Sequence, residues 1–523
     1  MSIAIKIKNH VHRSLSTVIP TKKQFHRRLE VYPLNPFPIF KKLNSLQLQL
    51  FFLGFYLWIL DSASFFCVSL TTTSLSEYYD QSIVDVNQGI MYSLFLRVAG
   101  SILFGIFNDA FSRKYTYILI CTLLCAIQVA SPFCKTWNIF LMTRCLFGMI
   151  LGSSFNVGFV TANENLVVKE EPGKPKLNTS VFQSLFQNAY PLGYLIAQGA
   201  TTRWASNHIS EWKNLFYFTA ALCPVAIIWR LVLPESPVFV ESKKIKLERI
   251  QNDLERDQNE KQLTKWGSTK IFFGELSKTV ATYWDILLYQ CCMMVAFCYT
   301  SHGSQDLFVT LLTSLGYSKA KKSTINIIAN VGAIAGGTVG GYVSNYLSIR
   351  FTILIGIVIG CSVIYPWGYV SSYKDCSAFW LQFAVQFGFA NAPRYLHQLN
   401  SFGKMPEFAS IFIGTAYQIG TLVSAPASTI QSSLASKNGS YSATMSVFLA
   451  IVFVILFVVI LFGIDNDPIL NEDREGYQNG MPIKEMEAYE SSDENSDIIL
   501  VDTISSNSLN KNMTSNHFEE KKI

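Results

Sequence analysis

The sequence predicts an all-α membrane protein with twelve transmembrane helices in two six-helix halves. Three observations carry that prediction. Charged residues make up only 15% of the 523, and aromatics 14%, whereas soluble domains average about 25% charged. Mean hydropathy is +0.26 even though both ends of the chain are polar. The apolar residues also gather into runs of roughly 20, the length at which a helix crosses a bilayer.

The runs fall near 46–72, 89–108, 115–133, 138–162, 179–201, 213–233, 281–303, 323–345, 351–371, 376–398, 408–434 and 443–464. Several exceed the minimum, which tilt accommodates. Between the sixth and seventh lies a polar stretch built around "ESKKIKLERIQNDLERDQNEKQ". The expected organisation has five parts. They are a basic N-terminus (1–45), a first half (46–233), a connector (234–280), a second half (281–464) and an acidic, disordered tail (465–523). The opening "MSIAIKIKNHVHRSLS" lacks the sustained apolar core of a signal peptide, so the first span is expected to direct the chain to the membrane.

Charge sets the expected orientation. Residues 1–45 carry nine Lys/Arg and one Glu. The connector is also rich in Lys/Arg, and Arg113 and Lys114 follow the second span, while 73–88 holds Glu77, Asp80 and Asp85 without a cation. Positive charge stays inside, which puts both termini and the connector in the cytoplasm. Lys319, Lys321 and Lys322 run locally against the rule. The tail holds fourteen Asp/Glu and five Lys/Arg, so the net +6 hides a strongly basic remainder. The basic N-terminus suits an anionic leaflet, making membrane lipid a partner and nucleic acid not one. The tail serves either as a solvated terminus or as a site for regulators that bind it. Cysteines are scattered without metal-ligand spacing. No nucleotide-binding G-x4-GK-[ST] run is present, and no nucleophile–base set points to an enzyme.

Short motifs punctuate the chain. "GIFNDAFSRK" (Gly105–Lys114) makes a tight turn in which Asp109 can pair with basic residues, and "GYVSNYLSIR" (Gly341–Arg350) echoes it half a chain later with Asn345 in place of the acid. "RCLFGMILG" places Arg144 inside the fourth span with Gly148 and Gly152, small residues that permit close helix contact. "LPESP" (Leu233–Pro237) closes the sixth span. Together these resemble the signatures of the major facilitator superfamily, which implies two six-helix repeats around a central cavity.

"CYTSHGSQDLF" (Cys298–Phe308) then falls in the outer half of the seventh span. If the helix continues through Gly303, then His302, Gln305 and Asp306 share a face. A histidine can change charge near neutral pH. With Asp306, His302 makes either a proton relay in a wet cavity or a solvated pair at the helix mouth. The longer stretch "CYTSHGSQDLFVT" is similar to the seventh-span signature of the fungal carboxylate–proton symporters, the lactate, pyruvate and dicarboxylate permeases. It matches at Ser301, His302, Ser304, Gln305, Asp306 and Thr310, with Cys298 where that family has Asn. "WILDSASFF" with Asp61, "RVAGSILFG" with Arg97, "TANENL" with Glu164 and "AYQIGTLVSAPASTIQSSLA" with Gln418 resemble further spans of the same family. Ser64 and Gln398 depart from its usual acids, and Thr421 from its usual Asn.

The resemblance implies proton-coupled uptake of a small mono- or dicarboxylate across the plasma membrane by alternating access, with the proton as co-substrate and no cofactor. The expected substrate-binding set is Arg97, Gln305, Gln418 and Thr421. A guanidinium binds a carboxylate through a bidentate fork. Arg97 has an alternative as the partner of Asp61 in a structural bridge, and Gln418 and Thr421 have one as a polar helix–helix contact. His302 and Asp306 are the proton-coupling pair. Asp61, Asp109, Arg113, Arg144 and Glu164 are read as structural or gating. Two other functions stay open: a transporter of another solute, and a sensor that binds a carboxylate without moving it.

Overall fold

A computed structural model describes residues 14–15, 17–32, 35, 41–166, 180–204, 209–256, 265–370, 377–402, 408–463, 477–478 and 481–482. The expectations for the first thirteen residues and for nearly all of the acidic tail lie outside this set. Apart from one two-residue strand pair, Tyr477–Gln478 with Met481–Pro482, the regular structure among the described residues is helical.

Among the described residues, eight of the expected spans are single helices long and apolar enough to cross a membrane. They are span 1 (Ser45–Leu70), span 2 (Ile83–Ala110), span 3 (Arg113–Ala130), span 4 (Trp137–Asn163), span 6 (Trp212–Val232), span 8 (Lys319–Leu347), span 9 (Ile349–Tyr369) and span 12 (Tyr441–Leu461). The other four are broken. Span 5 divides into Ser180–Gln187 and Ala189–Trp204. Pro191 has no N–H for the Gln187 carbonyl, which interrupts the ladder at that point. Span 7 runs Trp284–Gln305, breaks at Asp306 and Leu307, and resumes as Phe308–Ser314. It is entered from the connector through a 75° bend. Span 10 passes from Ser377–Phe383 through a π-helical stretch, Ala384–Asn391, to Ala392–Phe402. Span 11 divides at Pro426 into Ala409–Ser424 and Ala427–Asn438. Irregular backbone at membrane depth survives where protein or a cavity satisfies it. The connector is helical where it is described, as Pro237–Arg256 and Lys265–Thr282.

The packing repeats. Span 2 lies on span 4, span 1 on span 5 and span 3 on span 6; then span 8 lies on span 10, span 7 on span 11 and span 9 on span 12. The halves meet where span 2 touches span 11 and where span 5 touches span 8. Small residues set the closest approaches. A methyl group on Gly152 of span 4 would strike the Arg97 carbonyl of span 2, and one on Gly336 of span 8 would strike the Ala384 carbonyl at span 10, so glycine lets the same pair of spans approach in each half. A large apolar cluster fills each half, and another, rich in phenylalanine, lies between them.

The basic N-terminal segment is engaged by the second half. A helix, Lys22–Val31, starts at a Thr21/Gln24 capping box, and its buried Arg28 donates to the Asn345 carbonyl at 3.0 Å. Arg350 donates to the Ile460 and Leu461 carbonyls at 3.1 and 2.7 Å and to the Thr17 hydroxyl at 3.3 Å. Where the first half's turn has an acid, the second has Asn345, and a cation from the N-terminus binds its backbone.

Candidate functional site

Between the two halves lies a small cavity, lined from the first half by Trp58, Phe66, Gln187 and Tyr190. From the second half come Cys298, Ser301, His302, Gln305, Asp306, Phe387, Arg394 and Tyr417. Its floor is aromatic: Trp58 meets Tyr417 edge-on at 5.9 Å, and Tyr417 stacks on Phe155 at 4.2 Å. Toward the face that carries the connector, Phe51, Phe159 and Phe182 of the first half share one apolar cluster with Phe402, Phe408 and Phe412 of the second. The rim at His302 and Asp306 is the partly exposed end.

Span 7 stays helical through Gly303, which packs against Phe448 and whose carbonyl accepts from Gln431 at 2.8 Å. His302 and Asp306 therefore stack one turn apart, with Nδ1 3.2 and 3.1 Å from the two carboxylate oxygens. Their side chains are 13% and 27% exposed. Gln305 joins them on the cavity wall. Ser304, on the opposite side of the helix, accepts from Gln386 of span 10 at 2.8 Å.

The remaining expected substrate ligands lie behind the wall. Arg97 is 3% exposed, with Nη2 3.7 Å from Asp61 and its guanidinium 4.8 Å from the Phe65 ring centre. Gln418 donates to the Gly152 carbonyl at 3.0 Å and so ties span 11 to span 4 across the halves. The Thr421 hydroxyl donates to its own helix at Tyr417 and lies 3.9 Å from the Cys298 thiol. Ser64 and Gln398 are fully buried.

Arg394 is a cavity residue that no sequence motif marks. It is 4% exposed and sits 5.3 Å from the Phe297 ring centre and 5.6 Å from that of Tyr417. The signal that could have found it is an arginine inside a span, in "NAPRYLHQLN" (Asn391–Asn400), because intramembrane charge is costly and usually functional.

The short motifs converge on the connector face. Asp109 pairs with Arg113 and accepts from the Ile411 backbone N–H at 3.0 Å, at the start of span 11. Arg113 also reaches Glu164 at 3.2 Å. Next to it, the Asn108 amide donates to the Ser410 hydroxyl at 3.0 Å. Glu235 of "LPESP" accepts from the Lys114 backbone N–H at 3.0 Å and pairs with Arg230 at 3.3 Å. Thus a carboxylate at the end of span 2 caps the N-terminus of span 11, where a helix favours negative charge. This contact and the phenylalanine cluster join the two halves on that face. Arg144 lies apart from the cavity. It donates to Ser131 and Gln128 among the rings of Phe140, Phe147 and Phe216, which joins spans 3, 4 and 6.

Two six-helix repeats around one cavity define a multi-pass membrane protein of the transporter type. Residues 50–425 match the Major Facilitator Superfamily profile, and the chain belongs to that superfamily. It is 30% identical over 407 residues to a carboxylic acid transporter protein homolog of Saccharomyces cerevisiae, an alignment covering 77% of this chain and 64% of that one. The chain thus spans less than two thirds of that relative's length. A shorter likeness, 27% over 138 residues, joins it to organic cation transporter 1 of Caenorhabditis elegans, covering 26% of this chain and 21% of that one. Among solved structures, the proton:xylose symporter XylE superposes with a TM-score of 0.60 at 13% identity, covering 79% of this chain and 95% of that one. The nucleoside transporter NupG does so at 0.51 and 14%, covering 80% and 100%. The fold and the relatives are those of transporters rather than enzymes.

Proposed function

We propose that the protein takes up a small mono- or dicarboxylate together with a proton across the plasma membrane, by alternating access, with both termini in the cytoplasm. The observation that carries this reading is the His302–Asp306 pair on the wall of the central cavity, at its accessible rim. The similarity to a carboxylic acid transporter homolog supports the substrate class. Histidine is the side chain suited to exchanging a proton near neutral pH, and bringing that proton in with the anion reduces the net charge that crosses the membrane.

In this reading the cavity is open to the outside, and the aromatic floor and the Asp109–Ile411 contact form the inner gate. His302 and Asp306 take the proton, and Gln305 hydrogen-bonds the substrate. Arg97 attracts the carboxylate when it exchanges Asp61 for the substrate. Gln418 and Thr421 hold span 11 at the height of the cavity and reach the substrate as the halves rock. The turn residues Asp109, Arg113 and Glu164 serve the gate, and Arg144 serves the packing of the first half.

The test is uptake of labelled lactate and succinate by cells that lack their own carboxylate permeases. Saturable uptake that rises as external pH falls supports the reading. Normal surface expression with no uptake of either acid would remove it and favour another solute or a sensor.

A further inference from the structure

Arg394 belongs to neither the ion-paired Arg97 site nor the proton-coupling pair, yet it lies on the cavity wall. Its guanidinium sits near the rings of both Phe297 and Tyr417, with centres 5.3 and 5.6 Å away. Aromatic faces stabilise a guanidinium and restrict its orientation, which lowers the entropic cost of an anion contacting it from the cavity. It comes from span 10, in the second half, whereas Arg97 comes from span 2, in the first.

We propose that Arg394 is a substrate-binding residue, the cation that anchors the substrate's carboxylate to the second half. The inference rests on the carboxylate reading above and deepens it. Arg97 stands behind the wall beside Asp61, whereas Arg394 is part of the wall itself. An anion held by Arg394 beside His302 and Gln305 contacts the helix that carries the proton-coupling pair, which links substrate binding to protonation.

The experiment measures lactate and succinate uptake by the full-length protein and by Arg394→Gln and Arg394→Lys, with surface abundance quantified for each. Charge-assisted hydrogen bonds of this kind predict a KM raised on the order of 10–100-fold in Arg394→Gln, with a smaller rise in Arg394→Lys, which keeps the charge and loses the fork. If Arg394→Gln fails to reach the membrane, the Lys variant carries the test by the same KM readout. An unchanged KM with a lower maximal rate or abundance would make Arg394 a packing residue and overturn the inference while leaving the carboxylate reading in place. Absence of carboxylate uptake by the unsubstituted protein at normal abundance would overturn both.

Discussion

The Cys298 thiol and the Thr421 hydroxyl lie 3.9 Å apart, joining span 7 to span 11 beside the cavity. Both positions depart from the asparagines of the carboxylate–proton symporters that the sequence resembles. The two departures therefore form one contact, and the pair is expected to act as a unit. Cys298→Asn and Thr421→Asn should each change the KM for succinate, and the double variant should differ from the product of the two single effects. Contacting residues couple by about 0.5–3 kcal/mol. A double-variant cycle of uptake kinetics checks this, and strict additivity would show that the two sites act independently.

The Arg97–Asp61 pair is buried on both sides. Removing one member strands the other charge, at a cost of about 3–5 kcal/mol. Asp61→Ala should therefore lower the melting temperature of purified protein markedly. Replacing both residues with leucine should recover most of that loss without restoring uptake. Recovery of uptake in the double variant would make the pair purely structural.

Asn108 and Ser410 meet across the halves at the closed face. Cysteines at both positions should form a disulfide under oxidation and hold that face shut. Uptake should then stop and return on reduction, while succinate binding from the open side persists. Uptake unaffected by a verified crosslink would remove this contact from the gating cycle.

Gly152 leaves no room for a side chain against the Arg97 carbonyl. Gly152→Leu should separate spans 2 and 4. Overpacking costs about 1–3 kcal/mol in ordinary cores, and a backbone obstacle yields less readily than a side chain. The expected result is loss of folded protein at the membrane, measured by detergent-solubilised monodisperse yield.

Much of the fold is legible in the sequence because a span needs a long apolar run, and such runs are visible without tertiary information. Gly148 and Gly152 likewise announce a close helix contact. What stays hidden depends on residues far apart in the chain. The contact that Gln418 makes with the Gly152 carbonyl of the other half has no signal in the sequence around either residue. Arg28 reads as one more basic residue of the N-terminus until the Asn345 carbonyl receives it. Arg394 has no familiar motif around it, and the π-helical stretch that precedes it shifts the helix register, so periodicity alone does not place it on the cavity wall. The His302–Asp306 pair is legible because one helical turn fixes its geometry locally.

The most direct measurement is the pH dependence of succinate uptake in the unsubstituted protein and in Asp306→Asn, at external pH of about 5 and about 7, a range over which histidines ordinarily titrate. The account predicts greater uptake at the lower pH and loss of that dependence in Asp306→Asn at matched surface abundance. Equal uptake at both values, or an undiminished pH response in Asp306→Asn, would contradict the role of His302 and Asp306 in proton coupling.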